Sequence, residues 1–143
     1  MQQLFEAWRI YESTNITVDT RDDIIKLINK NPNYNIHLDK PKGTFKSFGR
    51  PTKVKMPFDY GEYPDLINPA DNMGWDVVIV PSATKDDSNL KPAGYLAYKD
   101  GSGKEGNDKI ILAPFGTRYT EEDKELITSF FAELEKFEPA TWF

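Results

Sequence analysis

Trp75-Asp76-Val77-Val78-Ile79-Val80 decides how this chain is read. It is an apolar run with one carboxylate near its start, and it is the strongest strand signal in the sequence. Weaker strands lie on either side. Residues 34–38 and 53–56 show rough alternation before it, and residues 94–99 and 109–113 follow it. Pro and Gly punctuate them throughout, as at Pro41, Gly49, Pro64, Gly74, Pro81 and Gly101. Short strands at this spacing predict a small barrel or sandwich. Beyond the strands, Thr120-Glu121-Glu122-Asp123 supplies an N-cap and first-turn acids. Leu126, Ile127, Phe130, Phe131, Leu134 and Phe137 then mark one face of a helix running to about Phe137, with Pro139 ending it. Thr20 and Asp23 form a capping-box variant opening a helix over 21–30. Leu4, Phe5, Trp8 and Tyr11 predict a short amphipathic helix over 1–13. The expected organisation is one α+β, mainly β domain over 1–143. It comprises a helical extension (1–33), the strands (34–114), and a C-terminal helix and tail (115–143) packed on them.

The 143 residues suffice for one domain with a modest core. No apolar run approaches the roughly 18 residues of a bilayer span, and the first residues lack the basic and apolar regions of a secretory signal. A cytoplasmic protein is expected. Cysteine is absent, which excludes disulfides, thiolate metal sites and cysteine nucleophiles. One histidine, His37, excludes multi-histidine metal sites; it reads as structural. Chemistry in such a chain falls to carboxylates, lysines, arginines, tyrosines, or a metal held by oxygen.

The net charge of −5 argues against nucleic acid and membrane surfaces as partners, yet it hides a segregation. Residues 40–55 carry six bases and no acid: Lys40, Lys42, Lys46, Arg50, Lys53 and Lys55. Residues 59–76 carry five acids and no base: Asp59, Glu62, Asp65, Asp71 and Asp76. One reading is a solvated basic hairpin beside an acidic loop. The other is two blocks facing one cavity. Lysines and arginines there would hold phosphate oxygens, and carboxylates would hold magnesium.

Four stretches carry a resemblance to the soluble family I inorganic pyrophosphatases, and within them to the short, divergent forms of phages and mobile elements. Ile36 to Thr44 resembles the acid-x-Pro-Lys-Gly-Ser/Thr strand and turn. Lys55-Met56-Pro57-Phe58-Asp59-Tyr60-Gly61 resembles the segment ending in Asn/Asp-Tyr-Gly. Asp71-Asn72-Met73-Gly74-Trp75-Asp76-Val77 stands at the Asp-x-Asp-Pro-x-Asp-Val signature. Lys99-Asp100 through Lys109-Ile110-Ile111-Leu112-Ala113-Pro114 resembles the acidic loop and the strand after it. Residues 127–142 resemble the closing helix and Trp.

The resemblance implies a distorted five-stranded, OB-like barrel with flanking helices, and magnesium-dependent hydrolysis of pyrophosphate. It implies Asp71, Asp76 and Tyr60 as catalytic residues. It implies Lys46, Lys53, Lys55, Tyr60 and Lys109 as phosphate-binding residues. Asp71, Asp76, Asp100, Asn107, Asp108 and Asp39 are the implied metal ligands, with Asn107 and Asp108 alternatives for one position. The departures are specific. Met73 stands where the family has the aspartate that orients or deprotonates the attacking water, and a thioether cannot accept that proton. Leu134 and Glu135 stand where it has a phosphate-binding tyrosine and lysine. Two readings follow: a weakened pyrophosphatase acting on pyrophosphate or another small phosphorylated ligand, and a catalytically inactive binding or structural module. A third, an OB-like nucleotide or nucleic-acid binder using Lys46, Phe45, Phe48 and Phe58, is disfavoured by the acid balance. Oligomeric state is left open.

Overall fold

The structure is a computed structural model. It describes residues 15–84, 89–98, 107–135 and 140–143, so the expected helix over 1–13 lies outside the described residues. Elements run in the order β1 (Ile16–Thr17), α1 (Arg21–Lys30), β2 (His37–Lys40), β3 (Phe45–Lys46), β4 (Val54–Lys55), β5 (Tyr60–Asn68), β6 (Met73–Ile79), β7 (Leu90–Tyr98), β8 (Lys109–Pro114), α2 (Glu121–Leu134) and β9 (Ala140–Trp142). The fold is mixed α+β and mainly sheet. Both helices start as expected. Thr20 Oγ1 accepts from the Asp23 amide at 3.1 Å, and Thr120 and Asp123 form a reciprocal capping box.

The central sheet runs β1-β5-β6-β8-β7-β9, with β2 also on β5. β5 and β6 pair antiparallel, β6 and β8 parallel, and β7 lies antiparallel to both β8 and β9. The outer edge of β5 is divided between two strands: β2 pairs antiparallel near Tyr60–Glu62 and β1 parallel at Leu66–Ile67. That junction is tight. A Cβ at Gly61 would lie 2.0 Å from the His37 carbonyl oxygen, so only glycine lets β2 approach. β3 and β4 form a separate two-stranded hairpin. Among the described residues these sheets are open: no pairing joins β9 to β1 or β2, and no closed five-stranded barrel is present.

Alternation along the strands makes two cores. Trp75, Val77 and Ile79 of β6, with Tyr95, Ile110 and Leu112, pack under Ile24 and Ile28 of α1. Val78 and Val80, with Leu96, Tyr98, Ile111 and Ala113, pack under Ile127, Phe130 and Phe131 of α2, together with Met56 and Phe58. Asp76, two residues before Val78, therefore sits on the α2 face. At the open end of α2 this face becomes polar.

The largest departure from expectation is β5. The sequence offers no strand between residues 57 and 74, and one reading of the acids there is a loop, yet the segment contains a nine-residue strand whose side chains alternate in burial. Pro64 and Asp65 argue against a strand in sequence. They are accommodated where the β5–β6 register shifts between Tyr63 and Ile67, so the missing Pro64 amide breaks no ladder pair.

Candidate functional site

Directly opposed residues of β5 and β6 build the polar end of the α2 face. Tyr60 faces Val78, and one step further Glu62 faces Asp76. β2 adds His37, Asp39 and Lys40 from the other side, with Lys40 registered against Tyr60. His37, Asp39, Lys40, Tyr60, Gly61, Glu62, Met73 and Asp76 line a cleft of about 300 Å³. Lys109, the first residue of β8, reaches it from beneath.

The cleft's electrostatics are set by two ion pairs. Lys109 Nζ donates to Asp76 Oδ2 at 2.8 Å, and the lysine side chain is 3% exposed against 25% for the aspartate. The same ammonium lies 5.1 Å from the ring centres of both Tyr60 and Phe131. Burial holds the Asp76 carboxyl above the ordinary carboxylate range, although Lys109 pulls it down; the charge of Asp71 adds to the rise. Burial alone would lower the Lys109 ammonium, but the Tyr60 and Asp76 oxygens beside it outweigh burial and leave it raised. Burial pushes the Tyr60 phenol up to about 12. At the cleft mouth, Lys40 Nζ donates to Asp39 Oδ2 at 2.6 Å. This bond and the Lys40 charge hold the Asp39 carboxyl below its ordinary range, with Lys46 contributing.

The structure brings together Asp39, Tyr60, Asp76 and Lys109, four residues that the resemblance drew from separate stretches. Lys46 is half-buried on β3 and within electrostatic reach of Asp39. Others lie elsewhere. Asp71 is exposed in the β5–β6 turn, where its carboxylate accepts from the Met73 amide at 3.1 Å and Asn72 adopts a φ of 57°. It acts on Asp76 through its charge and does not line the cleft. Lys53 is exposed ahead of β4. Lys55 lines a different groove with Lys42, Asp59 and Pro81. Asp108 is buried and turned to the interior, accepting from the Tyr95 hydroxyl at 2.8 Å and the Tyr98 amide at 3.0 Å. It ties β7 to the start of β8 and is not a cleft ligand. Asn107, beside it, is half-buried. Asp100 lies outside the described residues.

Glu62 and Lys40 entered the sequence reading only as members of the acidic and basic blocks, and His37 was read as structural, yet all three line the cleft. Glu62 and Tyr60 are two apart on one strand, so reading β5 as a strand would have placed both on one face. Glu135, at the C-cap of α2, contributes its negative charge to Tyr60 and Tyr98.

Among the described residues, no three carboxylates or imidazoles gather closely enough to form a dedicated metal cage. No protein-family model matches the chain, and neither a curated protein nor a solved structure does. No helix among the described residues is long and apolar enough to cross a membrane.

Proposed function

We propose that the cleft binds pyrophosphate or a similar small phosphoanhydride and hydrolyses it with the help of magnesium. The observation that carries this reading is the convergence of Asp39, Tyr60 and Asp76 on one cleft over Lys109. The matched stretches lie on β2, β5, β6 and β8, whose pairing brings these side chains to one polar end of the sheet. On the same reading the open sheet corresponds to the family's distorted barrel, and the setting is cytoplasmic.

The donor set suits magnesium, which takes hard oxygen ligands and is commonly held by one or two carboxylates plus the substrate's phosphates. Asp76 and Glu62, facing each other across β5 and β6, would hold it. When bound, it supplies charge neutralisation and a more acidic water. The chain's own residues do the rest. Lys40 and Lys46 place positive charge at the mouth, where phosphate oxygens enter. Tyr60, un-ionised far above neutral pH, donates its hydroxyl to a phosphate oxygen. Lys109 keeps Asp76 ionised and fixed in direction.

Two observations favour the inactive-module reading. Met73 lines the cleft with 59% of its surface exposed, bringing a thioether where a proton acceptor is expected. Glu135 places an acid near Tyr60, where the resemblance puts a phosphate-binding cation. Phosphate release from pyrophosphate in millimolar magnesium separates the two. The hydrolase reading expects release by the wild type and its loss in Asp76→Ala. Equal, background release from both proteins overturns it, and magnesium-dependent thermal stabilisation without turnover then supports the module.

A further inference from the structure

A second cleft opens on the other face of the sheet, the face covered by α1. Its volume is about 660 Å³, within the range of small-molecule sites. One wall is α1 itself, where Arg21, Ile25 and Asn29 recur every four residues and Lys26 stands beside them. The rest is β7 from Pro92 to Tyr95, closed by Arg118 and Phe143. β7 is irregular here. Pro92 pairs with Leu112 and Gly94 with Ile111, so Ala93 is an extra residue with no partner on β8. Tyr95 exchanges backbone hydrogen bonds of 3.0 and 2.9 Å with Phe143, and before Tyr95 no described strand continues that edge of β7.

Two properties of the lining select a ligand. The first is charge. Arg21, Lys26 and Arg118 face one acidic side chain, Asp22, so the chain's net negative charge is reversed locally. Among the described residues these cations form one ion pair, Arg21 Nε with Asp22 at 3.7 Å, and the Asp22 side chain is 88% exposed, so water screens it. The second is aromatic surface. The Arg21 guanidinium lies 3.6 Å from the centre of the Phe143 ring and 5.8 Å from that of Tyr95. Phe143 nevertheless keeps 46% of its surface exposed.

We propose that this cleft binds a small anion carrying a planar ring, a nucleoside monophosphate in its chemistry. The phosphate lies between Lys26 of α1 and Arg118 of the segment after β8, which donate charge-assisted hydrogen bonds to it. The ring packs on the exposed part of Phe143 and against Ile25 and Pro92, since an aromatic face stacks on any base. The assignment is independent of the hydrolase reading, because none of these residues lines the Asp76 cleft.

The test is calorimetric titration of the whole chain with adenosine 5′-monophosphate, without magnesium. The wild type should bind saturably below about 1 mM. Lys26→Gln and Arg118→Gln should each weaken binding about tenfold, as expected for loss of one charge-assisted hydrogen bond. Both side chains are exposed, so the melting temperatures should stay close to wild type. Ribose 5-phosphate lacks the ring and adenosine lacks the phosphate; each should bind at least about tenfold more weakly than the nucleotide. A wild type that shows no saturable binding overturns the proposal. So does binding that both variants retain at full strength, which puts the nucleotide elsewhere. Ribose 5-phosphate binding as tightly as the nucleotide overturns it too, leaving only a cationic patch.

Discussion

Lys109 and Asp76 show what one ion pair does at the edge of a core. An ammonium buried beneath Tyr60 and Phe131 is tolerable only with a counter-charge, and Asp76 supplies it at 2.8 Å. Removing one partner leaves the other desolvated and uncompensated. Lys109→Met should therefore destabilise the fold by roughly 3 kcal/mol, read from urea denaturation. Adding Asp76→Asn to it should return part of that loss, because the orphaned carboxylate goes too. A double variant no more stable than Lys109→Met would show that the pair is not coupled. Lys109 was legible in sequence as a cation near an acidic loop. Its position under the cleft floor was not, because that depends on the parallel pairing of β8 with β6.

At the scale of elements, α2 is anchored at its start by more than its own cap. Asp123 Oδ2 accepts from the Thr120 amide at 3.0 Å and the Ser82 hydroxyl at 2.8 Å, and Oδ1 accepts from the Ser82 amide at 3.1 Å. One buried carboxylate thus closes the capping box and pins the chain leaving β6. Thr120→Ala loses the cap bond alone and should cost about 1 kcal/mol. Asp123→Ala should cost roughly 2–3 kcal/mol by the same denaturant measurement, because it strands several donors at once. Equal losses would show that the Ser82 contacts contribute nothing. The cap itself could be read from Thr120 and Asp123, and so could α1 from Thr20; local hydrogen bonding decides both. β5 could not. Its evidence against itself, Pro64 and Asp65, is local, whereas the register shift that absorbs them is a property of its pairing with β6. Without β5 as a strand, nothing in the sequence put Glu62 on one face with Tyr60.

Across the whole molecule, four tyrosines are built into the two cores or between them. Burial raises the phenols of Tyr60, Tyr63, Tyr95 and Tyr98 above the ordinary value of 10.0. A phenol with a folded pKa above its unfolded one contributes its full stabilisation below pH 10.0 and loses it as pH rises through the folded value, about 12 for Tyr60. Alkaline unfolding is expected to be cooperative, with phenolate absorbance and loss of circular dichroism rising together above about pH 10. Gradual phenolate formation with the fold intact would contradict it. At this scale the candidate site was partly legible. The segregation of bases and acids along the chain pointed to one cavity, and Lys40 of the basic block does line a cleft with Glu62 and Asp76 of the acidic block. Asp108 went elsewhere because its carboxylate satisfies the β7 backbone and Tyr95, a demand invisible without the sheet order.

The two-faced character of β6 also bears on which genetic changes the molecule can absorb. Swapping Val77 or Val78 for another branched aliphatic keeps each side chain in its own core. Deleting a single codon from within the strand is a different event. The residues on one side of the gap would exchange faces, turning the Asp76 carboxylate towards Ile24 and Ile28 and the Trp75 indole into the cleft. The length of β6 is therefore under tighter constraint than its spelling, and drift in this segment should run through substitutions rather than through insertions or deletions.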